Sequence, residues 1–210
     1  MGGALMSVDW GSYELYELGF VGPFQDLPRA EARAEFKRIM AAKDQRIEML
    51  RSLLKSNGVE LAPGADAIQN LNDWFRHNVE HDPARADGLL PEWYSVSFDI
   101  GLFLGEVLIG RHPNLHWEFF TWGKKNVSYQ RPVIMGFSSV QNPKYNIDFW
   151  SQVETYGQSI VHGRGPKPVY GTTTVRGVVL DIDAIVAAAP RREPPKDRFW
   201  NWIVALDSEA

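Results

Sequence analysis

The stretch from Pro91 to Ile109 constrains the fold more than any other part of the sequence, because it is apolar on nearly all sides of a helix. Pro91 suits the first turn of a helix, where no internal hydrogen bond is lost. A helix that is apolar all round must be covered by other elements, so we expect it to be central. Ser97, Gly101 and Gly105 recur every four residues as a ridge of small side chains. Since glycine weakens a helix interior, we expect a close backbone approach at this ridge to offset the loss.

The sequence before this stretch predicts two amphipathic helices. The first begins at Pro28 and ends at Asn57 and Gly58, which both tolerate the left-handed conformation that ends helices. The second has Asp66 or a neighbour as its cap and ends at residues 81–83. The apolar residues at three- and four-residue steps are Phe36, Met40, Ile47, Leu50 and Leu54 in the first, and Ile68, Leu71, Trp74, Phe75 and Val79 in the second.

The periodicity changes after the central helix. Residues 115–122 and 127–137 are rich in aromatic and β-branched residues, and residues 123–126 between them, Gly-Lys-Lys-Asn, suit a turn. This pattern predicts a β-hairpin. Aromatic side chains fall on both faces of the predicted strands, so we expect both faces to be covered at least in part.

The rest of the chain carries weaker signals. Residues 1–27 look irregular apart from a short predicted strand near residues 13–20, and residues 190–197 predict an extended, Pro-rich linker. The other predicted elements are a short helix capped by Asp148, a flexible loop at residues 162–170, a strand at Thr173–Leu180, a small helix from Asp183 to Pro190 and a closing helix at Arg198–Leu206.

Helices come first and a small sheet follows, an order that predicts an α+β fold. We expect the N-terminal helices to pack on a small, mostly antiparallel sheet, with the C-terminal helix closing the core. Residues 1–190 are predicted to form a single α+β domain, and residues 191–210 a linker and a docking C-terminal helix. A chain of 210 residues is long enough to bury its core without a metal or a disulfide.

The composition excludes several classes of function. The sequence has no cysteine, which excludes disulfides, cysteine-ligated zinc, iron–sulfur clusters and a thiol nucleophile. The formal net charge of −4 disfavours a dedicated nucleic-acid binder, which needs an excess of Lys and Arg. The N-terminus lacks the features of a signal peptide, and we expect no apolar stretch to reach the length needed to span a membrane. We therefore expect a cytoplasmic protein with no cofactor and no membrane association, and leave its oligomeric state open.

His77, Glu80 and His81 match the H-x-x-E-H pattern of one class of zinc proteases. Positions four apart on a helix put both imidazoles on one face, as zinc requires, and Glu106 or Glu118 would have to supply a third ligand. The alternative is a polar helix end, where the helix dipole favours imidazoles. Because short motifs recur by chance, we prefer this alternative and expect no metal site.

Asp99 and Glu106 lie seven residues apart on the predicted central helix, so they share a face. If that face lined a cleft, they could act with Glu118 as the catalytic acids of a small hydrolase. The alternative is structural, because a buried carboxylate needs a partner, and Arg111 and Arg131 are available. We prefer the structural interpretation, expect a protein that is not an enzyme, and keep the hydrolase as the alternative.

Trp117, Trp122, Tyr129 and Arg131 of the predicted hairpin are the candidate binding residues. Tryptophan, tyrosine and arginine are enriched at binding hot spots. Aromatic and basic residues on adjacent strands also suit single-stranded nucleic acid, a use that the acidic balance of the chain disfavours. The alternative is that these aromatic residues belong to the core and that the turn is merely solvated.

Five segments together resemble an uncharacterised bacterial α+β family that is similar to toxin-immunity proteins: LNDWF at 71–75, WYSVSFDIGLFLGEVLI at 93–109, HWEFF at 116–120, YQRPVIMGF at 129–137 and NPKYNID at 142–148. The similarity covers about residues 66–162 and includes no catalytic motif. It implies an acidic cytosolic protein that blocks a partner by surface complementarity. We therefore predict a protein-interaction module, in the immunity-like case an inhibitor that captures a basic bacterial toxin by charge.

Overall fold

The computed structural model describes residues 7–85, 88–164, 171–175, 178–181, 184 and 193–210. Within these residues the fold is α+β, as predicted: helices predominate, and the strands form two small antiparallel pairs. The helices are α1 (Arg29–Ser56), α2 (Ala65–Asn78), α3 (Pro91–Arg111), α4 (Phe149–Arg164) and α5 (Arg198–Asp207), preceded by a 3₁₀ turn at Phe24–Asp26. The strands are β1 (His116–Phe119), β2 (Pro132–Met135), β3 (Thr172–Val175) and β4 (Val178–Asp181).

The helix α3 is central, as predicted, and most of its 21 residues are buried. It packs against α1, α4 and α5. A Cβ atom on Gly101 would lie 2.7 Å from the backbone N and Cα of Trp150 in α4, and one on Gly105 would lie 2.2 Å from the ring of Trp117. The close approach predicted at the small-residue ridge is therefore confirmed, by a helix backbone at one glycine and by an indole ring at the other.

The same helix is long and apolar enough, by length and composition, to cross a membrane, and it is the one such helix in the described part of the chain. The expectation that no stretch reaches this length is therefore wrong for α3. In the folded protein, 78% of the apolar 18-residue window of α3 is buried. The core helix of a folded domain can be as long and as apolar as a membrane-spanning helix, and α3 is such a core helix.

The helix α1 has the predicted ends, but its buried face differs from the predicted stripe. The residues buried on it are Ala32, Glu35, Ile39, Arg46, Leu50, Leu53 and Leu54. Phe36, Met40 and Ile47, which the periodicity placed in the core, are only partly buried. Glu35 and Arg46 lie on the buried face because each forms an ion pair there, which the spacing of apolar residues does not reveal.

The strands β1 and β2 form the predicted antiparallel hairpin, with His116 opposite Met135. Each strand has only four residues, so both are shorter than predicted. The connection is the whole segment 120–131 rather than the four-residue turn 123–126. The regular pairing stops beside Gln130, whose φ of +65° turns the backbone out of the extended conformation.

Residues 13–20 do not form the predicted strand. Some of their backbone groups bond to side chains of the long helices instead. The Tyr16 amide donates to Ser95 Oγ in α3, and the Glu14 carbonyl accepts a 2.8 Å hydrogen bond from Arg46 Nη1 in α1. The first described residues therefore cross α1 and α3 without a strand partner.

The helix α4 is longer than predicted. The expected cap is confirmed, because the Ser151 amide donates to Asp148 Oδ1 at 2.9 Å. The helix continues to Arg164, so residues 162–164 are helical rather than the start of a loop. The rest of the predicted loop, residues 165–170, lies outside the described residues.

The C-terminal third differs from the prediction in its strands and agrees in its last helix. The single strand predicted at Thr173–Leu180 is instead two strands, β3 and β4, paired antiparallel. The predicted small helix at residues 183–190 lies outside the described residues apart from residue 184. The closing helix is confirmed as α5, with Phe199, Ile203 and Leu206 buried in the main core.

Candidate functional site

Asp99, at the centre of α3, is completely buried and is bound by Arg46 of α1. Arg46 Nε lies 2.8 Å from Asp99 Oδ1, and Nη2 lies 2.6 Å from Oδ2, so the ion pair is bidentate. Tyr13 Oη donates a 2.6 Å hydrogen bond to the same Oδ2. The carboxylate thus accepts three hydrogen bonds and has no access to solvent. It joins α3 to α1 and to residues 7–28, which we call the N-terminal segment.

Burial raises the pKa of Asp99 to about 6, because loss of water disfavours the carboxylate, and the hydrogen bonds from Arg46 and Tyr13 act in the opposite direction. Burial next to this carboxylate also raises the pKa of Tyr13, which therefore stays a donor. A raised carboxyl pKa is one sign of a catalytic acid. Here the group has no exposed surface on which a substrate could bind, so it serves as a structural ion pair.

Glu106 shares the α1-facing side of α3 with Asp99, as their spacing predicted. Its Oε2 lies 2.6 Å from Lys43 Nζ in α1, and its Oε1 accepts a 2.8 Å hydrogen bond from Trp117 Nε1 in β1. Burial lowers the pKa of Lys43, but the hydrogen bonds and negative charges of Glu106 and Asp44 together outweigh this effect and raise the pKa. The second acid therefore links α3 to both α1 and the hairpin.

The cation partners predicted for these two acids are wrong. Arg131 Nε lies 2.5 Å from Asp148 Oδ2, and its guanidinium lies over the Trp150 ring, 4.4 Å from the centroid. Arg111 is bound to Asp207 in α5. The actual cations, Lys43 for Glu106 and Arg46 for Asp99, come from α1.

Glu118, the third acid of the hydrolase alternative, is exposed on β1. Its Oε2 lies 3.8 Å from His116 Nε2. Since Asp99 has no exposed surface, Asp99, Glu106 and Glu118 cannot together line one solvent-accessible cleft.

A cleft of about 700 Å³ lies between α4 and α5. Its lining includes Gln152 and Tyr156 of α4 and Arg198 and Trp202 of α5. Among the described residues that line it, none is one of the three predicted catalytic acids. The hydrolase alternative therefore gains no support from this cleft.

The zinc alternative depends on His77 and His81 sharing a helix face, and this premise is wrong. The helix α2 ends at Asn78, and Val79 has an extended backbone with φ −56° and ψ 131°. Glu80 and His81 therefore lie beyond the helix. Within the ranges that the structure describes, no group of three or more His, Asp or Glu side chains is placed to hold a metal ion.

Three of the four predicted binding residues lie mostly inside the protein. Trp117 is partly buried, Tyr129 is buried, and the side chain of Arg131 is largely covered. Trp122 is different, with 50% of its surface exposed. The two interpretations of the hairpin aromatics therefore apply to different residues, and Trp122 is the one on the surface.

Residues 121–128, which we call the Trp122 turn, are held by their own hydrogen bonds. The Asn126 amide donates to the Gly123 carbonyl at 2.8 Å, and Asn126 Oδ1 accepts from the Ser128 amide at 2.9 Å. The Tyr129 amide donates to the Asn126 carbonyl at 3.0 Å. Gly123 has φ +70°, a conformation that favours glycine. The sequence pattern marked this segment as a turn but did not show which of its side chains are exposed.

The Trp122 turn carries two exposed apolar side chains and several cations. Trp122 is 50% exposed and Val127 is 80% exposed. Lys124 and Lys125 are exposed on the same turn. Lys144, from a different loop, has its Nζ 5.1 Å from the centroid of the Trp122 ring, within the range of a cation–π interaction.

The closing helix α5 is fixed by a cluster that the sequence did not predict. Asp207 accepts hydrogen bonds from Arg111 and, at 2.8 Å, from His112 Nε2, both at the end of α3. Burial alone would raise the pKa of Asp207, but the hydrogen bonds from Arg111 and His112 outweigh it and lower the pKa. Because the pKa of Asp207 is lower in the folded state than in the unfolded state, its ion pair stabilises the fold fully at pH values above the unfolded-state pKa. This stabilisation is lost as the pH falls through the folded-state pKa.

We expect D207N to lower the free energy of unfolding by about 1 kcal/mol at pH 7, because the ion pair is only partly screened. The difference from the unsubstituted chain should shrink as the pH falls through the lowered folded-state pKa of Asp207, and it should disappear at a pH below that pKa, where Asp207 is protonated in both folded and unfolded states. Asp197 begins the same helix without a side-chain cap bond, so D197N is the matched control and should change stability by less than about 0.5 kcal/mol. Urea denaturation at both pH values measures this, and equal losses in the two variants would contradict it.

No protein-family model, curated protein or solved structure matches the chain. The resemblance to toxin-immunity proteins therefore stays a prediction.

Proposed function

We propose that the chain is a protein-interaction module that binds a partner protein through the Trp122 turn. The observation that carries the proposal is the exposure of Trp122 and Val127 on one hydrogen-bonded turn. Exposed large apolar side chains on a shared surface are typical of interaction sites, and tryptophan is one of the residues enriched at their energetic centres.

The shape of the turn supports the proposal, because a surface that is already ordered loses little conformational entropy on binding. The turn is flanked on both sides by buried residues, Phe120 and Tyr129. Next to them, Gln130 Nε2 donates to the carbonyls of Phe24 and Leu27 at 2.7 and 3.0 Å, which joins the base of the turn to the N-terminal segment. The exposed side chains are thus presented from a fixed base.

Within this class, an immunity-like inhibitor of a bacterial toxin is the specific activity that the sequence resemblance favours. In such an inhibitor, the Trp122 turn would cover the active site or the target-binding surface of the toxin. The basic residues of the turn suit a toxin that is acidic at this surface. The basic toxin expected earlier was argued only from the net charge of −4, which is spread over the whole chain.

Partner recovery tests the proposal. We expect W122A/V127A to reduce recovery of a stoichiometric partner at least tenfold, because truncation of hot-spot side chains costs about 2 kcal/mol or more. Val204 is 48% exposed on α5, away from the turn in sequence, so V204A is the control for loss of an exposed apolar side chain. The measurement is cross-linking followed by affinity purification from the cells that produce the protein.

All three proteins should have closely similar melting temperatures, because none of the substituted side chains is buried in the core. Recovery of no stoichiometric partner, or equal recovery with W122A/V127A and V204A, would contradict the proposal.

A further inference from the structure

The Trp122 turn has a local charge opposite to that of the chain. The chain carries a formal net charge of −4, with 26 acidic and 22 basic residues. The turn, Thr-Trp-Gly-Lys-Lys-Asn-Val-Ser, contains two lysines and no acidic residue. The fold adds Lys144 from a separate loop. Three cations are thus grouped with the exposed Trp122 and Val127 on an otherwise acidic protein.

We infer that the Trp122 turn binds an acidic protein segment, with carboxylates on the lysines and an apolar side chain against Trp122. This inference rests on the proposed function and names the chemistry of the partner. Charge complementarity is the reason for the assignment: Asp and Glu side chains are the protein groups that pair with lysine cations. The exposed area of Trp122 and Val127 would supply the apolar centre of the contact, and the lysines its polar rim.

The lysine nearest the tryptophan has a particular place in this arrangement. Lys144 Nζ lies over the Trp122 ring, which brings a positive charge next to the apolar surface. The Lys144 backbone is itself held, because its amide donates to Asn142 Oδ1 at 3.0 Å. A partner side chain against the exposed part of the ring would therefore have a cation within reach of an adjacent carboxylate.

Nucleic acid and lipid fit the same surface less well. Single-stranded nucleic acid is bound by a series of aromatic side chains on which successive bases stack. Of the candidate aromatic residues in this hairpin, Trp117 is partly buried and Tyr129 is buried, so Trp122 alone is exposed enough to stack on a base. Anionic membranes are typically recognised by clusters of about four to eight basic residues. The three lysines here suit a short acidic segment better than either extended polyanion.

The test uses the full-length protein and three probes. The first is a 16-residue peptide of alternating Glu and Leu pairs, about the length of a short binding segment. The second is a phosphatidylserine-containing vesicle, and the third is an oligo-dT single strand. Binding is measured in about 50 mM salt by fluorescence anisotropy for the peptide and the oligonucleotide and by co-sedimentation for the vesicle.

The variants are K124E/K125E and the matched control K37E/K55E. Lys37 and Lys55 are exposed on α1, so the control changes the net charge by the same amount at a different place. We expect the peptide to bind the unsubstituted chain and K37E/K55E equally, and to bind K124E/K125E at least tenfold more weakly. Peptide binding should also weaken as salt is added.

Three results would overturn the inference. The first is no peptide binding, and the second is equal weakening in the two charge-reversal variants. The third is vesicle or oligonucleotide binding that is stronger than peptide binding and is lost in K124E/K125E. A natural partner whose recovery depends on Trp122 but is unaffected by K124E/K125E would leave the interaction proposal standing and remove the acidic-partner inference.

Discussion

Replacing Arg46 with methionine is expected to lower the free energy of unfolding by about 3–5 kcal/mol at pH 7, because it leaves the Asp99 carboxylate buried without its charge partner. Arg46 supplies two of the three hydrogen bonds to this carboxylate, at 2.8 and 2.6 Å. Methionine keeps much of the apolar length of arginine, so lost packing contributes less than the unpaired charge. Chemical denaturation followed by tryptophan fluorescence measures the change.

The matched control is the double variant R46M/D99N. The amide is neutral and still offers an oxygen to the Tyr13 hydroxyl, so we expect the double variant to be more stable than R46M alone. If the double variant lowered the free energy of unfolding by the sum of the losses in R46M and D99N, Arg46 and Asp99 would not be energetically coupled.

The loss in the free energy of unfolding caused by R46M should also depend on pH. The folded-state pKa of Asp99 is raised to about 6, so between the unfolded value and about 6 the folded state binds the proton more tightly. Protonation therefore favours the folded state, and this stabilisation is lost as the pH rises through about 6. Below this pH Asp99 becomes neutral and Arg46 loses its charge partner. The destabilisation caused by R46M should consequently be smaller at pH 4.5 than at pH 7, and a cost that is equal at both would contradict this assignment.

Replacing Gly101 with alanine is expected to lower the free energy of unfolding by about 3 kcal/mol, the upper part of the range for overpacking. The new Cβ would lie 2.7 Å from the backbone N and Cα of Trp150, and a helix backbone cannot move aside as a side chain can. The helix α4 would have to shift away from α3. This loss exceeds the gain of about 1 kcal/mol that alanine normally brings to a helix interior.

Gly110 provides the control on the same helix. A Cβ there would meet no atom within 4 Å, so G110A should keep or raise stability by up to about 1 kcal/mol. Thermal unfolding of the two variants measures the difference. If G101A and G110A changed the melting temperature alike, the close approach of α4 at Gly101 would not be the controlling contact.

The two ends of α1 and the start of α3 could be predicted because local chemistry sets them. Pro28 and Pro91 fix the backbone at helix starts, and Asn57 follows the last residue of α1 as its C-cap. The central position of α3 followed from an apolar surface that needs cover on all sides. The division of Thr173–Leu180 into two strands was missed, although Gly177 interrupts its β-branched run.

The partners of the buried charges could not be predicted, because they depend on how distant elements pack. Arg46 and Asp99 are 53 positions apart, and the apolar spacing of α1 gives no sign that Arg46 is buried. Local signals likewise could not separate Trp117 from Trp122. Both are tryptophans in one hairpin, yet one meets Glu106 and Gly105 while the other projects from the turn.

The position of the N-terminal segment has a consequence for how the fold assembles. The Asp99 carboxylate is completed by groups from three separate stretches: α3 itself, α1 through Arg46, and the N-terminal segment through Tyr13. Any two of these stretches alone would leave the charge pair either open to water or short of a donor. We therefore expect damage to the irregular residues around Tyr13 to weaken the packing of α1 on α3 as well.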